Sequence, residues 1–434
     1  MAAAPGAPGC RPRPRAARCR KGLESLEKFD PARRLIIGSA IIGSIGTFGL
    51  HVLLPALPAI AAAMDTTAAA AQLLVSLSLV AIALGNLVIA PLSDRYGRRP
   101  VVLAGLGLFV AGSLGGIVAP SLHVLVVARI VQAFGGGAAM AVMRATIMDF
   151  FGPARAASAI AATATAILLA PMLAPTLGGL VIEWYDWRAV FALSGLLGGA
   201  VMLFAARKLV ETRPANPAAG PSPRPLSSYR QLFASRAYLT YLVFGSSMMS
   251  MIYTFVTGAP YIAIDVLGIS PSRLGFLLFF PAVASFAGFL VASRVVNRVG
   301  GLRLMQIGAL FAFAGTATMA VLSLAGVWHP FAMFLPGMLI GFANALATPS
   351  STTAAITRHP AIAGAASGLL GFVHLVVAAG ATQLVAFFAN HSPVPLAATL
   401  MGLCLVALLA LRSIARIAVQ SGPYSPPETP EPTR

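Results

Sequence analysis

Apolar stretches of roughly 20 residues recur along almost the whole chain, and their length limits the fold more than any single residue does. At about 1.5 Å per residue, such a run makes a helix long enough to cross ~30 Å of hydrocarbon. A strand in lipid would leave its backbone groups unpaired unless it closed into a barrel. Barrel strands alternate polar and apolar residues, and these runs do not. Composition excludes the remaining alternative, a soluble fold. The chain is 58% hydrophobic and 10% charged, with a mean hydropathy of +0.85, whereas soluble domains carry about 25% charged residues. The reading is an all-α polytopic membrane protein.

Spans are predicted near 35–60, 71–93, 101–120, 123–143, 156–182 and 188–207, then near 238–263, 272–293, 302–325, 330–352, 361–388 and 394–415. This divides the chain into a disordered basic tail (1–34), a six-helix bundle (35–207), a central loop (208–237), a second six-helix bundle (238–415) and a C-terminal tail (416–434). The first apolar run is too long for a signal peptide. The net charge of +18 does not point to nucleic acid, because the basic residues sit in short clusters between apolar runs. Placing both termini in the cytoplasm puts Arg95, Arg98, Arg99, Arg155, the central loop, Arg294, Arg298, Arg303, Arg358, Arg412 and Arg416 on the inner side. Arg188 and Arg273 remain outside, an asymmetry that matches the positive-inside rule. Cys10, Cys19 and Cys404 have neither disulfide nor metal spacing. No cofactor or metal site is expected.

The two halves repeat one another. Gly85-Asn86-Leu87-Val88 followed by Asp94-Arg95-Tyr96-Gly97 closes the second span, and Gly288-Phe289-Leu290-Val291 followed by Asn297-Arg298-Val299-Gly300 closes the eighth at a constant offset. Duplicated halves around a central site are a transporter architecture.

The run from Gly85 to Pro100 resembles motif A of the major facilitator superfamily, which implies a twelve-helix fold in two pseudo-symmetric halves, acting as a monomer. Gly85 and Gly97 permit close approach and a tight turn. The resemblance implies that Asp94 meets the start of the eleventh helix near Pro360, a contact that would break as the transporter switches. Arg95, Arg98 and Arg99 complete the motif, with plain topogenic charge as their other reading.

Arg129 lies roughly 10 Å inside the fourth span, where a guanidinium must face the bundle interior or a wet cavity. Arg129-Ile130-Val131-Gln132 resembles motif B, which implies coupling to substrate or proton; an interhelical tie is the alternative. Gln132 shares nearly the same face. Leu54-Pro55-Ala56-Leu57-Pro58 resembles the end of the first helix in the Bcr/CflA drug-efflux branch, which typically carries an acid where this chain has His51. Histidine titrates near neutral pH, so His51 could carry the coupled proton or be a neutral cavity-wall residue. His374 is a second candidate of the same kind.

Pro171, Ala174, Pro175, Gly178 and Gly179 in the fifth span resemble motif C, associated with exporters, although glycine is usual at the position of Ala174. Helix packing is the other explanation for this segment. Arg144-Ala145-Thr146 leading to Asp149 is similar to that branch's loop after the fourth helix. Trp187-Arg188-Ala189-Val190-Phe191, Glu211-Thr212 and Gly258-Ala259-Pro260-Tyr261 extend the likeness. Phe244, Met248, Met251, Tyr253 and Phe255 are candidates for cavity lining or for ordinary packing.

The resemblance implies proton-coupled efflux of small amphipathic drug-like molecules across the inner membrane. Export of one native metabolite, or a non-transporting sensor on the same fold, are the alternatives. Enzymatic function is not expected: no catalytic constellation lies within the spans, and the absence of a P-loop excludes ATP-driven pumping by this chain. The expected partners are a small-molecule substrate, protons and the lipid bilayer.

Overall fold

The computed structural model describes residues 31–212, 225–388 and 392–420. The tail 1–30, residues 213–224 of the central loop and the chain end from 421 lie outside the described residues. Among those described, every regular element is helical. Twelve helices are long and apolar enough to cross a membrane: α1 (Ala32–Ala63), α2 (Ala68–Ile89), α3 (Arg98–Ile117), α4 (Leu122–Gly152), α5 (Ala162–Trp184), α6 (Trp187–Lys208), α7 (Arg236–Val266), α8 (Pro271–Val299), α9 (Gly301–Leu324), α10 (Pro330–Thr357), α11 (Ala363–Phe387) and α12 (Val394–Arg416).

Several boundaries differ from the sequence reading, three of them near residues that bear on the site. Pro31 to Arg34, expected in the tail, already belong to the first helix, where a leading proline loses nothing because that N–H would be unpaired anyway. The central loop contains a short helix, Pro225–Ala234. Arg144, Thr146 and Asp149, expected in a loop, stand inside α4. No Gly or Pro interrupts residues 138–151, so the helix runs on until Gly152 breaks it at φ 67°.

Packing is dense within each set of six helices. α4 sits against α1, α2 and α3, and α10 against α7, α8 and α9. α4 presents Gly136 to Gly46 of α1, Gly137 to Ile82 of α2 and Gly135 to Gly105 of α3. Across the molecule α2 packs on α11 and α5 on α8. These two pairs exchange when each helix is replaced by its counterpart six places on, so the interface carries the repeat's pseudo-symmetry. The turns repeat as well: Gly97 has φ 98° and ψ 154°, and Gly300 has φ 86° and ψ 148°. Leu196, Leu310, Leu335, Leu409, Phe331 and Phe387 are each more than 60% exposed on the exterior. An apolar belt of that kind needs lipid around it.

Candidate functional site

Between the two sets of helices lies a cavity of about 490 Å³. It is lined from α1, α2, α4 and α5 on one side and from α7, α8, α10 and α11 on the other. Asn86, Arg144, Ile147, Ile160, Thr163 and Phe289 extend its lining toward the end of the molecule that carries motif A.

The opposite end is closed. Ser76 Oγ donates to Gln383 Oε1 at 2.8 Å, and Gln383 Nε2 donates to the Ala69 carbonyl at 2.8 Å. Tyr261 Oη donates to the Ala68 carbonyl at 3.2 Å, and Thr176 Oγ1 to the Gly275 carbonyl at 3.1 Å. Motif C forms part of this closure. A Cβ on Gly178 would strike the Val52 carbonyl, one on Gly179 the Pro271 carbonyl, and one on Gly275 the Pro175 carbonyl. Only hydrogen fits at these crossings, which is why the backbones of α1, α5 and α8 can meet there. Ala174 is fully buried in the same segment, while Pro171 and Pro175 face the cavity.

Motif A folds around Arg98. This side chain is largely buried and reaches Asp149 of α4 through Nε at 2.8 Å. Its Nη1 reaches both Asp94 Oδ1 and Ser93 Oγ at 2.5 Å. The Glu211 carboxylate, beyond α6, accepts from the backbone N–H of Arg98 at 2.9 Å and of Arg99 at 3.1 Å, holding an anion at the positive end of α3. Arg99 Nη2 donates to the Ala206 carbonyl at 2.7 Å. Arg95 lies over the Tyr96 ring at 5.4 Å. Gly85 packs so closely on α4 that a Cβ would stand 2.8 Å from the Phe134 carbonyl oxygen. Among the described residues, no hydrogen bond or ion pair joins Asp94 to the start of α11 near Pro360. The Asp94 side chain is 65% exposed and pairs with Arg98 of its own motif.

His51 and His374 both line the cavity. His51 Nδ1 is 2.8 Å from the Thr47 carbonyl; a carbonyl can only accept, so Nδ1 carries the hydrogen and Nε2 is the basic nitrogen. The His51 ring lies 6.3 Å from that of Tyr253. His374 is buried with Nε2 unpartnered, and a Cβ on Gly245 would come within 2.9 Å of that nitrogen.

Arg129 and Gln132 lie behind the cavity wall rather than in it. Arg129 Nη1 donates to the Gly49 carbonyl of α1 at 3.1 Å and to Gln132 Oε1, and Gln132 Nε2 donates to Ser113 Oγ of α3 at 2.7 Å. The pair ties α1, α3 and α4 together. Among the described residues, the fixed cation in the cavity wall is Arg144, which sequence reasoning assigned to a loop tag. The uninterrupted helical run from 138 to 151 was the signal that could have placed it. Of the α7 residues considered for the lining, only Tyr253 reaches it; Phe244, Met248, Met251 and Phe255 pack in the core of the second half.

A polytopic helical protein with duplicated halves and a central cavity sealed at one end has the architecture of a secondary transporter. Residues 39–382 match the model of the Major Facilitator Superfamily, and the chain belongs to that family. It is 27% identical over 391 residues to Multidrug resistance protein D of Escherichia coli (strain K12), covering 90% of this chain and 98% of that protein. It is 30% identical over 326 residues to a Chloramphenicol resistance protein of Pseudomonas aeruginosa, covering 74% and 76%. It is 25% identical over 390 residues to a Bicyclomycin resistance protein homolog of Haemophilus influenzae, covering 86% and 93%. In fold it is similar to the peptide transporter POT, with a TM-score of 0.72 at 15% identity over 88% of this chain and 94% of that one.

Proposed function

We propose that the protein is a secondary active exporter that moves small amphipathic, drug-like molecules outward across the inner membrane by alternating access, coupled to proton entry. Both termini lie in the cytoplasm, following the distribution of Arg and Lys, and the monomer is the working unit. The cavity carries this reading: its lining reaches toward motif A, and its other end is sealed by hydrogen bonds and glycine crossings between the halves. With motif A inside, this is an inward-facing state ready to load cargo from the cytoplasm. The names of the relatives, which include multidrug, chloramphenicol and bicyclomycin resistance proteins, support a drug-like cargo. His51 takes the proton on Nε2, in place of the acid that the branch usually has at this position.

The test is pH-dependent efflux in everted vesicles carrying wild type or His51→Ala, with amphenicols and fluorescent amphipathic compounds as cargo. Transport that dissipates the pH gradient in the wild type, with coupling lost in the variant, is the expected result. Wild-type transport that ignores the gradient refutes proton antiport and leaves a facilitator. No transport of any compound refutes the exporter reading.

A further inference from the structure

We propose that Arg144 is the anion anchor of this cavity, and that the preferred cargo is an amphipathic anion: an apolar body carrying one carboxylate or similar acidic group. The proposal rests on the exporter reading and adds the chemical class of its cargo.

Among the described residues that line the cavity, Arg144 is the only lysine or arginine, and no aspartate or glutamate is among them. Its guanidinium makes no hydrogen bond or ion pair with any described residue, and the residue is exposed where it faces the open space. Three neighbouring arginines of the first half each have protein partners. Arg98 holds Asp94 and Asp149, Arg99 holds the Ala206 carbonyl, and Arg129 holds Gly49 and Gln132. Asp149 is the acid nearest to Arg144 on α4. Five residues of helix turn it about 140° away, toward Arg98. An unpaired fork of donors in a cavity without acids suits a planar carboxylate that binds two N–H groups at once. A cation would meet repulsion there and find no counter-charge.

The rest of the lining fits the body of such a molecule. Met140, Met143, Ile147, Ile160 and Met249 offer a pliable apolar wall around the anchor. The space of about 490 Å³ falls in the range of sites for drug-sized ligands. Arg129, the other arginine of α4, is buried fifteen residues or ~22 Å along the helix from Arg144 and behind the wall, so it cannot serve the same cargo. An inside-negative membrane potential by itself drives an anion outward, so export needs less from proton coupling.

The probes are dansylaminoundecanoate and its methyl ester, which share one body and differ in the charge. Their affinities are measured by fluorescence on the full purified chain in detergent, for wild type, Arg144→Gln and Arg144→Lys. Wild type is expected to prefer the carboxylate by about tenfold or more, the size of a charge-assisted hydrogen bond. The preference is expected to vanish in Arg144→Gln and to survive, weakened, in Arg144→Lys. Equal affinity for the two probes in the wild type overturns the proposal whatever the variants do, and so does a preference that persists in Arg144→Gln. Efflux of the ester from everted vesicles by the wild type separates the two levels. If the ester is exported but the carboxylate is not preferred, the anchor fails and the exporter stands. If neither probe is moved and no amphenicol or fluorescent amphipathic compound is either, the exporter reading fails.

Discussion

Arg98 and Asp149 form a largely buried ion pair, Nε to Oδ2 at 2.8 Å, that fastens the turn after α2 to the end of α4. The two side chains are 9% and 16% exposed. The same guanidinium holds Ser93 and Asp94, so one residue joins three helices at the open end of the cavity.

Arg98→Ala therefore leaves a carboxylate with little solvent and no counter-charge. The expected loss is about 2–3 kcal/mol of stability, at or below the lower end for breaking a buried pair, because some solvent reaches Asp149. Thermal unfolding of the purified protein in detergent measures it. A midpoint equal to the wild type would show that the contact is ornamental.

Gly97 and Gly300 have nearly the same backbone angles but different surroundings. A Cβ on Gly97 would stand 2.8 Å from Glu211 Oε2, whereas one on Gly300 would meet nothing within 4 Å. Both alanine variants carry backbone strain of about 1–3 kcal/mol. Gly97→Ala should lose more, since it also displaces the carboxylate that caps α3. Equal destabilisation in the two variants would mean that the Glu211 contact contributes nothing.

Gln383 bridges the halves at the sealed end through Ser76 and the Ala69 carbonyl. Replacing it by leucine removes two hydrogen bonds that exist only while this end is closed. At about 1 kcal/mol each, the balance between the two access states should move by roughly tenfold or more toward opening at this end. Distance distributions between spin labels on α2 and α11 would report the shift; an unchanged distribution would assign the closure to the glycine crossings alone.

Arg129 makes its bonds to α1 and to Gln132 from one planar group. Lysine cannot reproduce that geometry. Arg129→Lys is expected to lower the unfolding midpoint and the maximal transport rate, with the affinity of a cavity-bound probe unchanged. A selective loss of probe affinity would place this arginine in cargo recognition after all.

Much of the molecule is legible without coordinates. The twelve spans, the repeat of the turns at Gly97 and Gly300, and the grouping of motif A follow from local properties such as run length, glycine spacing and charge. Boundaries were less legible where the local signal was mixed. The end of α4 is the clearest case, since the charged residues Arg144 and Asp149 suggest a loop while the backbone has no reason to stop before Gly152.

What the amino-acid order determines by itself is what lipid demands of each segment: helices of a certain length, an apolar outer face and a distribution of basic residues. The direction in which an interior polar side chain points is another matter, because it depends on how neighbouring helices rotate and cross. Arg129 and Arg144 both stand on α4, and by depth alone Arg129 was the better candidate for the cavity. Tertiary packing turns Arg129 onto Gly49 and leaves Arg144 facing the open space. It also parts Asp94 from Pro360 and brings Ser76 to Gln383, two residues whose positions in the chain give no hint of contact. The tertiary structure decides these matters because helices from the two halves must close at one end for the cavity to open at the other.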